Sequence, residues 1–154
     1  MSHYHPSIPT DPQALAEACR DAMWAGDRAC QALGLRVLQV APGRATVSMT
    51  VREDMVNGHA ICHGGLIATL ADSAFAYACN AYNEVTVASG FSIELLAPAQ
   101  LGDELTASAR EVSRGGRAGL YDIEVCNQQG RVVAQFRGRS HTFKGRSLLP
   151  QASG

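Results

Sequence analysis

Asn57-Gly-His-Ala-Ile-Cys-His-Gly-Gly-Leu-Ile-Ala-Thr-Leu-Ala-Asp72 is the stretch whose reading decides the fold. Gly64-Gly65 opens an apolar helical pattern, and one carboxylate, Asp72, sits inside it. A helix start offers unpaired backbone N–H groups and the positive end of the macrodipole. A lone acid in an apolar helix is costly unless it has a task or a partner. Together they suggest a site for a developing oxyanion next to a nucleophile or base. Gly64 and Asp72 are eight residues apart, about 12 Å along a helix. A reacting carbonyl needs both groups within roughly 3 Å. One chain does not readily supply both to one carbonyl. Two chains do, if their helices run antiparallel and each lends its Asp72 to the other's Gly64. The expectation is a homodimer with composite sites.

Working outward, the helical pattern runs from Gly64 to about Tyr82. Leu66, Leu70 and Ala74 fall on one stripe, and Ile67, Ala71, Phe75 and Ala78 on the next. The face around Asp72 carries Ala68, Thr69, Ala76 and Cys79, small enough to leave room for a ligand or for another packed element. Upstream, Asp11 is an N-cap with Pro12 at the first helical position. Gln13 to Leu33 reads as helix, broken near Gly26 and stopped at Gly34. Leu35 to Val51 reads as two strands around Pro42-Gly43, and Arg52 to Cys62 as a loop. Downstream, the period changes to two. Strands are expected over Val85–Leu96, Asp103–Ser113, Ala118–Cys126 and Arg131–Phe143, with turns at Gly115-Gly116 and Gln129-Gly130. Consecutive strands joined by short turns pair antiparallel. A helix apolar over most of its surface must be buried. The economical solution is an α+β arrangement, a curved antiparallel β-sheet wrapped around the long central helix, with an extra N-terminal helix. That is the hotdog fold.

A chain of 154 residues, 46% apolar, suits one domain spanning 1–154, with a core over about 30–145 and loose tails at 1–10 and 147–154. A net charge of −1 gives no general attraction to nucleic acid or to a membrane surface. Lys144 is the only lysine, so arginine carries the remaining positive charge. That suits bidentate phosphate contacts and equally fits genomic base composition. Cys19, Cys30, Cys62, Cys79 and Cys126 are odd in number and form no CxxC pair. They fit a reducing, cytoplasmic setting better than a disulfide framework. Met1 to Thr10 is polar, without the apolar stretch of a secretory signal. No run approaches the roughly 18 apolar residues of a membrane span.

Met55-Val-Asn-Gly-His-Ala-Ile-Cys-His-Gly-Gly65, then Leu70-Ala-Asp-Ser-Ala-Phe-Ala-Tyr-Ala-Cys-Asn80, resembles the PaaI-type thioesterases of the hotdog superfamily. Supporting segments are Ile93–Pro98, Gly119–Val125 and Phe136–His141, so the likeness spans about Cys30 to Gly145. The resemblance implies hydrolysis of acyl-coenzyme A to an acid and free coenzyme A, aryl-acetyl esters among the substrates, and a dimer of dimers. No separate cofactor is expected, since coenzyme A is part of the substrate. It also implies roles. Asp72 is nucleophile or general base, the Gly64 N–H polarises the thioester oxygen, and Asn57 shapes the pocket. Ser89 is the nearest hydroxyl on the following strand to position water. A threonine one turn after the acid, used by other hotdog thioesterases, is here Ala76.

Other readings of the same residues are weaker. His63 is expected to orient the helix start or the pocket loop rather than to move a proton. Gly65 shares the tight turn and the substrate contact at the helix start. His59, Cys62 and His63 suggest zinc, but no fourth ligand stands at useful spacing. Adjacent Cys62 and His63 do not face each other as a nucleophilic dyad does. Arg114 and Arg117 flank the Gly115-Gly116 turn and are candidates to hold coenzyme A phosphates, against the plain reading of a solvated hairpin. Tyr77, Tyr82 and Phe91 line either an aryl pocket or the core, whereas Cys79 and Cys126 are expected in the core. An acyl-thioester hydratase would need His63 and Asp72 as an acid–base pair. A non-catalytic acyl-coenzyme A binding subunit would have no use for an intact Asp72.

Overall fold

The computed structural model describes residues 7–151. Asp11 caps the first helix, α1 (Pro12–Gly26), by accepting from the Ala14 N–H at 2.9 Å. The break at Gly26 is real. Asp27 closes α1 and starts the short α2 (Arg28–Ala32), its Oδ1 accepting from the Cys30 N–H at 3.2 Å. The strands follow as β1 (Arg36–Ala41) and β2 (Arg44–Thr50), joined through Pro42 and Gly43, whose φ is +69°. The long helix α3 (Gly64–Cys79) comes next, then β3 (Thr86–Leu95), β4 (Glu104–Gly115), β5 (Ala118–Cys126) and β6 (Val132–Thr142).

All six strands form one antiparallel sheet in the order β1-β2-β4-β5-β6-β3. The sheet lays one face on α3. Ile67, Leu70, Ala71, Ala74, Phe75 and Ala78 are buried against Met49, Leu105, Tyr121, Ile123 and Phe136. The alternating burial of β5 and β6 follows from one face meeting α3 and the other meeting solvent. Phe75 stacks obliquely on Tyr121 and Phe136, with ring centres 5.4 and 6.1 Å away. Gly138 of β6 makes room for it, since a Cβ there would lie 2.8 Å from Phe75 Cε1.

Two expectations need amending. β3 and β4 are consecutive in the chain but not neighbours. The segment between them is too long for a tight turn, and it crosses to the far side so that β3 pairs with β6 at the sheet edge. Cys126 is only half-buried at the end of β5. The outermost parts of the expected loose tails lie outside the described residues. Within them, the Leu149 N–H donates to Asn83 Oδ1 at 2.9 Å, which ties the C-terminal segment to the turn after α3. No helix among the described residues is long and apolar enough to cross a membrane.

Candidate active site

The loop before α3 is ordered by its own backbone. Isolated bridges join Val56 to Cys62 and Ile61 to Gln100, and the His63 N–H donates to Met55 O at 2.9 Å. Asn57 is the pivot of this loop. Its Oδ1 accepts from the His59 N–H at 2.9 Å and weakly from Ile61 N–H at 3.4 Å. Ala60 is held at φ +59°, a conformation non-glycine residues seldom adopt and one that persists where the surroundings impose it.

His63 is the N-cap of α3, but its exposed side chain makes no capping hydrogen bond. Its carbonyl takes the Leu66 and Ile67 N–H groups at 3.0 and 3.3 Å. The N–H groups of Gly64 and Gly65 have no acceptor among the described residues. They are free at the positive end of a sixteen-residue helix. Leu95 at the end of β3 packs on Gly64 so closely that a Cβ there would lie 2.5 Å from Leu95 Cδ1. A side chain at position 64 would have to displace Leu95.

Asp72 lies midway along α3, half-buried, on the stripe that the chain's own sheet leaves open. Ala68, Thr69 and Ala76 share this stripe, as the spacing predicted, Gly65 lies on it too, and Thr69 Oγ1 donates to Gly65 O at 2.9 Å. Cys79, seven residues on, is buried at the helix end, its Sγ near Ala76 O. Burial raises the Asp72 carboxyl above its ordinary value, and no group among the described residues pulls it back. A carboxylate so placed is a stronger base and nucleophile than one in water.

Behind Asp72 stands a polar cluster that the sequence reading missed. Cys30 Sγ donates to Ser73 Oγ at 3.2 Å, and Ser73 Oγ donates to Thr69 O at 2.7 Å. The Tyr77 hydroxyl donates to Asp27 Oδ2 at 3.0 Å. These contacts hold α2 on the helix that carries Asp72. Burial, with smaller contributions from Asp27 and Asp72, pushes the Cys30 thiol up to about 12. Burial and then the Asp72 charge push Cys79 up to about 12. Burial also raises Cys62. These thiols stay protonated at neutral pH and are poor nucleophiles. The available signal was Gly26-Asp27, a helix break followed by a cap, with Tyr77 five residues beyond Asp72.

The remaining candidates are placed less uniformly. Ser89 is the extra residue of a bulge in β3, and its Oγ donates to Arg139 O at 3.1 Å and accepts from Arg139 Nε at 3.2 Å. Arg139 lies between Gly138 and Ser140, which face α3, so Ser89 is on the outer side of the sheet and away from Asp72 of its own chain. The bulge, invisible to a period-two pattern, causes this. Arg114 is partly committed. Its guanidinium lies 3.6 Å from the centre of the Tyr82 ring and 3.5 Å from Glu111 Oε1, which also accepts from the Tyr82 and Tyr121 hydroxyls. Arg117 stands exposed at the hairpin tip. Tyr77 is buried, whereas Phe91 is half-exposed and stacked on Phe136 at 4.7 Å. Among the described residues, no three His, Cys, Asp or Glu side chains gather as a metal site.

Comparison with known proteins agrees with this geometry. Residues 59–134 match the thioesterase superfamily model. The chain is 48% identical over 124 residues to the acyl-coenzyme A thioesterase PaaI of Escherichia coli K12, covering 80% of this chain and 89% of that one. The solved structure of the E. coli PaaI protein from the phenylacetic acid degradation operon superposes with a TM-score of 0.85 at 44% identity, over 91% of this chain and 99% of that one. A Streptococcus mutans protein solved with acetyl CoA bound superposes at 0.70 with 26% identity, over 73% and 91%. The chain belongs to the thioesterase superfamily, among its PaaI-type hotdog enzymes.

Proposed function

We propose that this protein hydrolyses aryl-acetyl-coenzyme A thioesters, phenylacetyl or ring-hydroxylated phenylacetyl, to the free acid and coenzyme A. The observation that carries the reading is the combination of Gly64 and Gly65 N–H groups with no acceptor among the described residues and a half-buried Asp72 with no partner among them. Thioester hydrolysis builds negative charge on the carbonyl oxygen, and aligned N–H donors stabilise it. Asp72 either takes a proton from the attacking water or attacks the carbonyl itself, forming an anhydride that water then opens. In both routes the carbon–sulfur bond breaks and the coenzyme A thiolate leaves with a proton. No cofactor is required.

The site is composite in this reading. The β1 edge is bulged and covered, with Gln13 Nε2 donating to Val40 O at 2.8 Å. The β3 edge is long, and Val87, Phe91 and Leu95 on it are 45%, 52% and 53% exposed. Such an edge is a template for another strand. β3 runs back along α3, from Thr86 beside Asn80 to Leu95 beside Gly64. Antiparallel pairing of two β3 strands therefore sets two α3 helices antiparallel and carries Asp72 of one copy toward Gly64 of the other. The Arg114–Arg117 hairpin, by Tyr82 at the C-terminal end of α3, is about 24 Å from Gly64 of its own chain. It then serves its partner's Gly64, with Arg117 the freer phosphate ligand. Asn57 orders the loop at the helix start and His63 sets the first turn. Pairing of dimers into tetramers and a cytoplasmic setting complete the reading.

The test is release of free thiol from phenylacetyl-coenzyme A, a hydroxylated analogue and straight-chain esters, with Asp72→Ala in parallel. Turnover that favours aryl-acetyl esters and is lost in the variant supports the reading. No release from any ester overturns it.

A further inference from the structure

Beyond the Ser89 bulge, Phe91, Ile93 and Leu95 pair with Gly138, Phe136 and Ala134. Those three β6 residues face α3: Phe136 and Ala134 are buried in the core, and Gly138 lies under Phe75. Residues opposite one another across an antiparallel pair point to the same side. Phe91, Ile93 and Leu95 therefore share the inner face of the sheet. Ile93 is partly covered by the core, yet Phe91 and Leu95 are 52% and 53% exposed. The result is an apolar strip on the helix side of the sheet that the chain's own helix leaves open.

The strip has a defined beginning. Leu95 Cδ1 rests against the Cα of Gly64, at the helix start with the free N–H groups. A carbonyl whose oxygen is held there has its acyl substituent starting within contact of the Leu95 side chain. The strip then runs from Leu95 to Phe91, four residues or about 13 Å of strand, in the direction of Asp72 along α3.

We infer that Leu95 is a specificity-determining residue, its isobutyl group forming the wall against which the first atoms of the acyl group pack. Phe91 meets only acyl chains long enough to pass Leu95. The inference rests on the thioesterase reading with Gly64 as the oxyanion donor. An aryl-acetyl group, with its ring one methylene from the carbonyl, lays that ring along Leu95; an acetyl group meets it with a single methyl.

The experiment compares kcat/KM for acetyl-, phenylacetyl- and decanoyl-coenzyme A in the wild type, Leu95→Ala, Leu95→Phe and Phe91→Ala. Removing apolar wall contact from a pocket changes discrimination by about tenfold or more. Leu95→Ala is expected to lower the phenylacetyl-to-acetyl ratio by about that factor, and Leu95→Phe to shift it as well, through bulk rather than loss. Phe91→Ala is expected to change the decanoyl ratio and spare the phenylacetyl one. Sedimentation of each variant accompanies the kinetics. Ratios unchanged in both Leu95 variants of an active enzyme overturn the inference and leave the thioesterase reading standing. So does dissociation of the Leu95 variants with equal loss on every ester, which makes Leu95 an interface residue. A wild type inactive on every ester removes the functional reading and this inference with it.

Discussion

Replacing Gly138 by alanine probes how α3 is seated. The added Cβ would lie 2.8 Å from Phe75 Cε1 and 3.0 Å from Cδ1 and Cζ. Ordinary contact would need several tenths of an ångström more, and Phe75 is 1% exposed, held between Tyr121 and Phe136. The ring cannot step aside, so the helix or β6 must shift. Overpacking of this kind costs about 1–3 kcal/mol. The lost flexibility of the unfolded chain returns about 0.4–1 kcal/mol. The net is roughly 1–2 kcal/mol, which in a chain of this size lowers Tm by about 3–8 °C. Gly90 in β3 has nothing within 4 Å of a Cβ, so Gly90→Ala is the control and should be near neutral. Thermal melts followed by circular dichroism would measure both. In a double-mutant cycle, Phe75→Leu should relieve Gly138→Ala, making the pair less harmful than the sum of the two. An unchanged or higher Tm for Gly138→Ala, or strict additivity with Phe75→Leu, would refute the packing argument.

Asp72→Asn should lose about 10²–10⁴ in kcat, the usual worth of a positioned acid–base group. The same change should raise Tm at neutral pH. Burial raises the Asp72 pKa in the folded state, so folding favours the protonated form and stability falls as pH rises from the unfolded carboxyl pKa through the raised value. The asparagine has no such cost, and a lower neutral-pH Tm for the variant would contradict this. The acid limb of wild-type kcat/KM should likewise lie above the ordinary carboxylate range. Arg117→Ala should raise KM about twofold to fivefold with kcat and Tm little changed, as for an exposed charge contact. Arg114→Ala should also lower Tm by about 1–4 °C, since it gives up the stacking on Tyr82. Equal melts for the two variants would argue against a structural role for Arg114.

The central helix was legible because one face is continuously apolar and the glycine pair marks its start. The paired strands of β1–β2 and β4–β5–β6 were legible because their turns are short and glycine-marked. What local periodicity does not carry is the position of β3. A strand knows its own alternation but not which neighbour it will reach, and β3 reaches β6 across the sheet. The site divides similarly. Asp72 and Gly64 stand out because each violates its local background, a charge among alanines and a glycine pair at a helix start; Asn57 was named only through the family resemblance. Ser89 was misjudged because one bulged residue turns a side chain to the other face. The helix was expected to continue to about Tyr82; it ends at Cys79, where Asn80 turns back to hold Thr86. The Asp27–Tyr77 and Cys30–Ser73 contacts span 50 and 43 residues, a separation that no short-range pattern reports.

The most direct measurement of the composite site is cross-complementation. Asp72→Ala and Gly64→Val chains, each inactive alone, are unfolded together, refolded as mixed dimers, and assayed for thiol release from phenylacetyl-coenzyme A. A site built from Asp72 of one copy and Gly64 of the other predicts that the mixed dimer regains one working site of two. Recovery toward that level supports the account. Mixed dimers that form and yet remain as inactive as either parent would contradict it, and would place both groups of each site in a single chain.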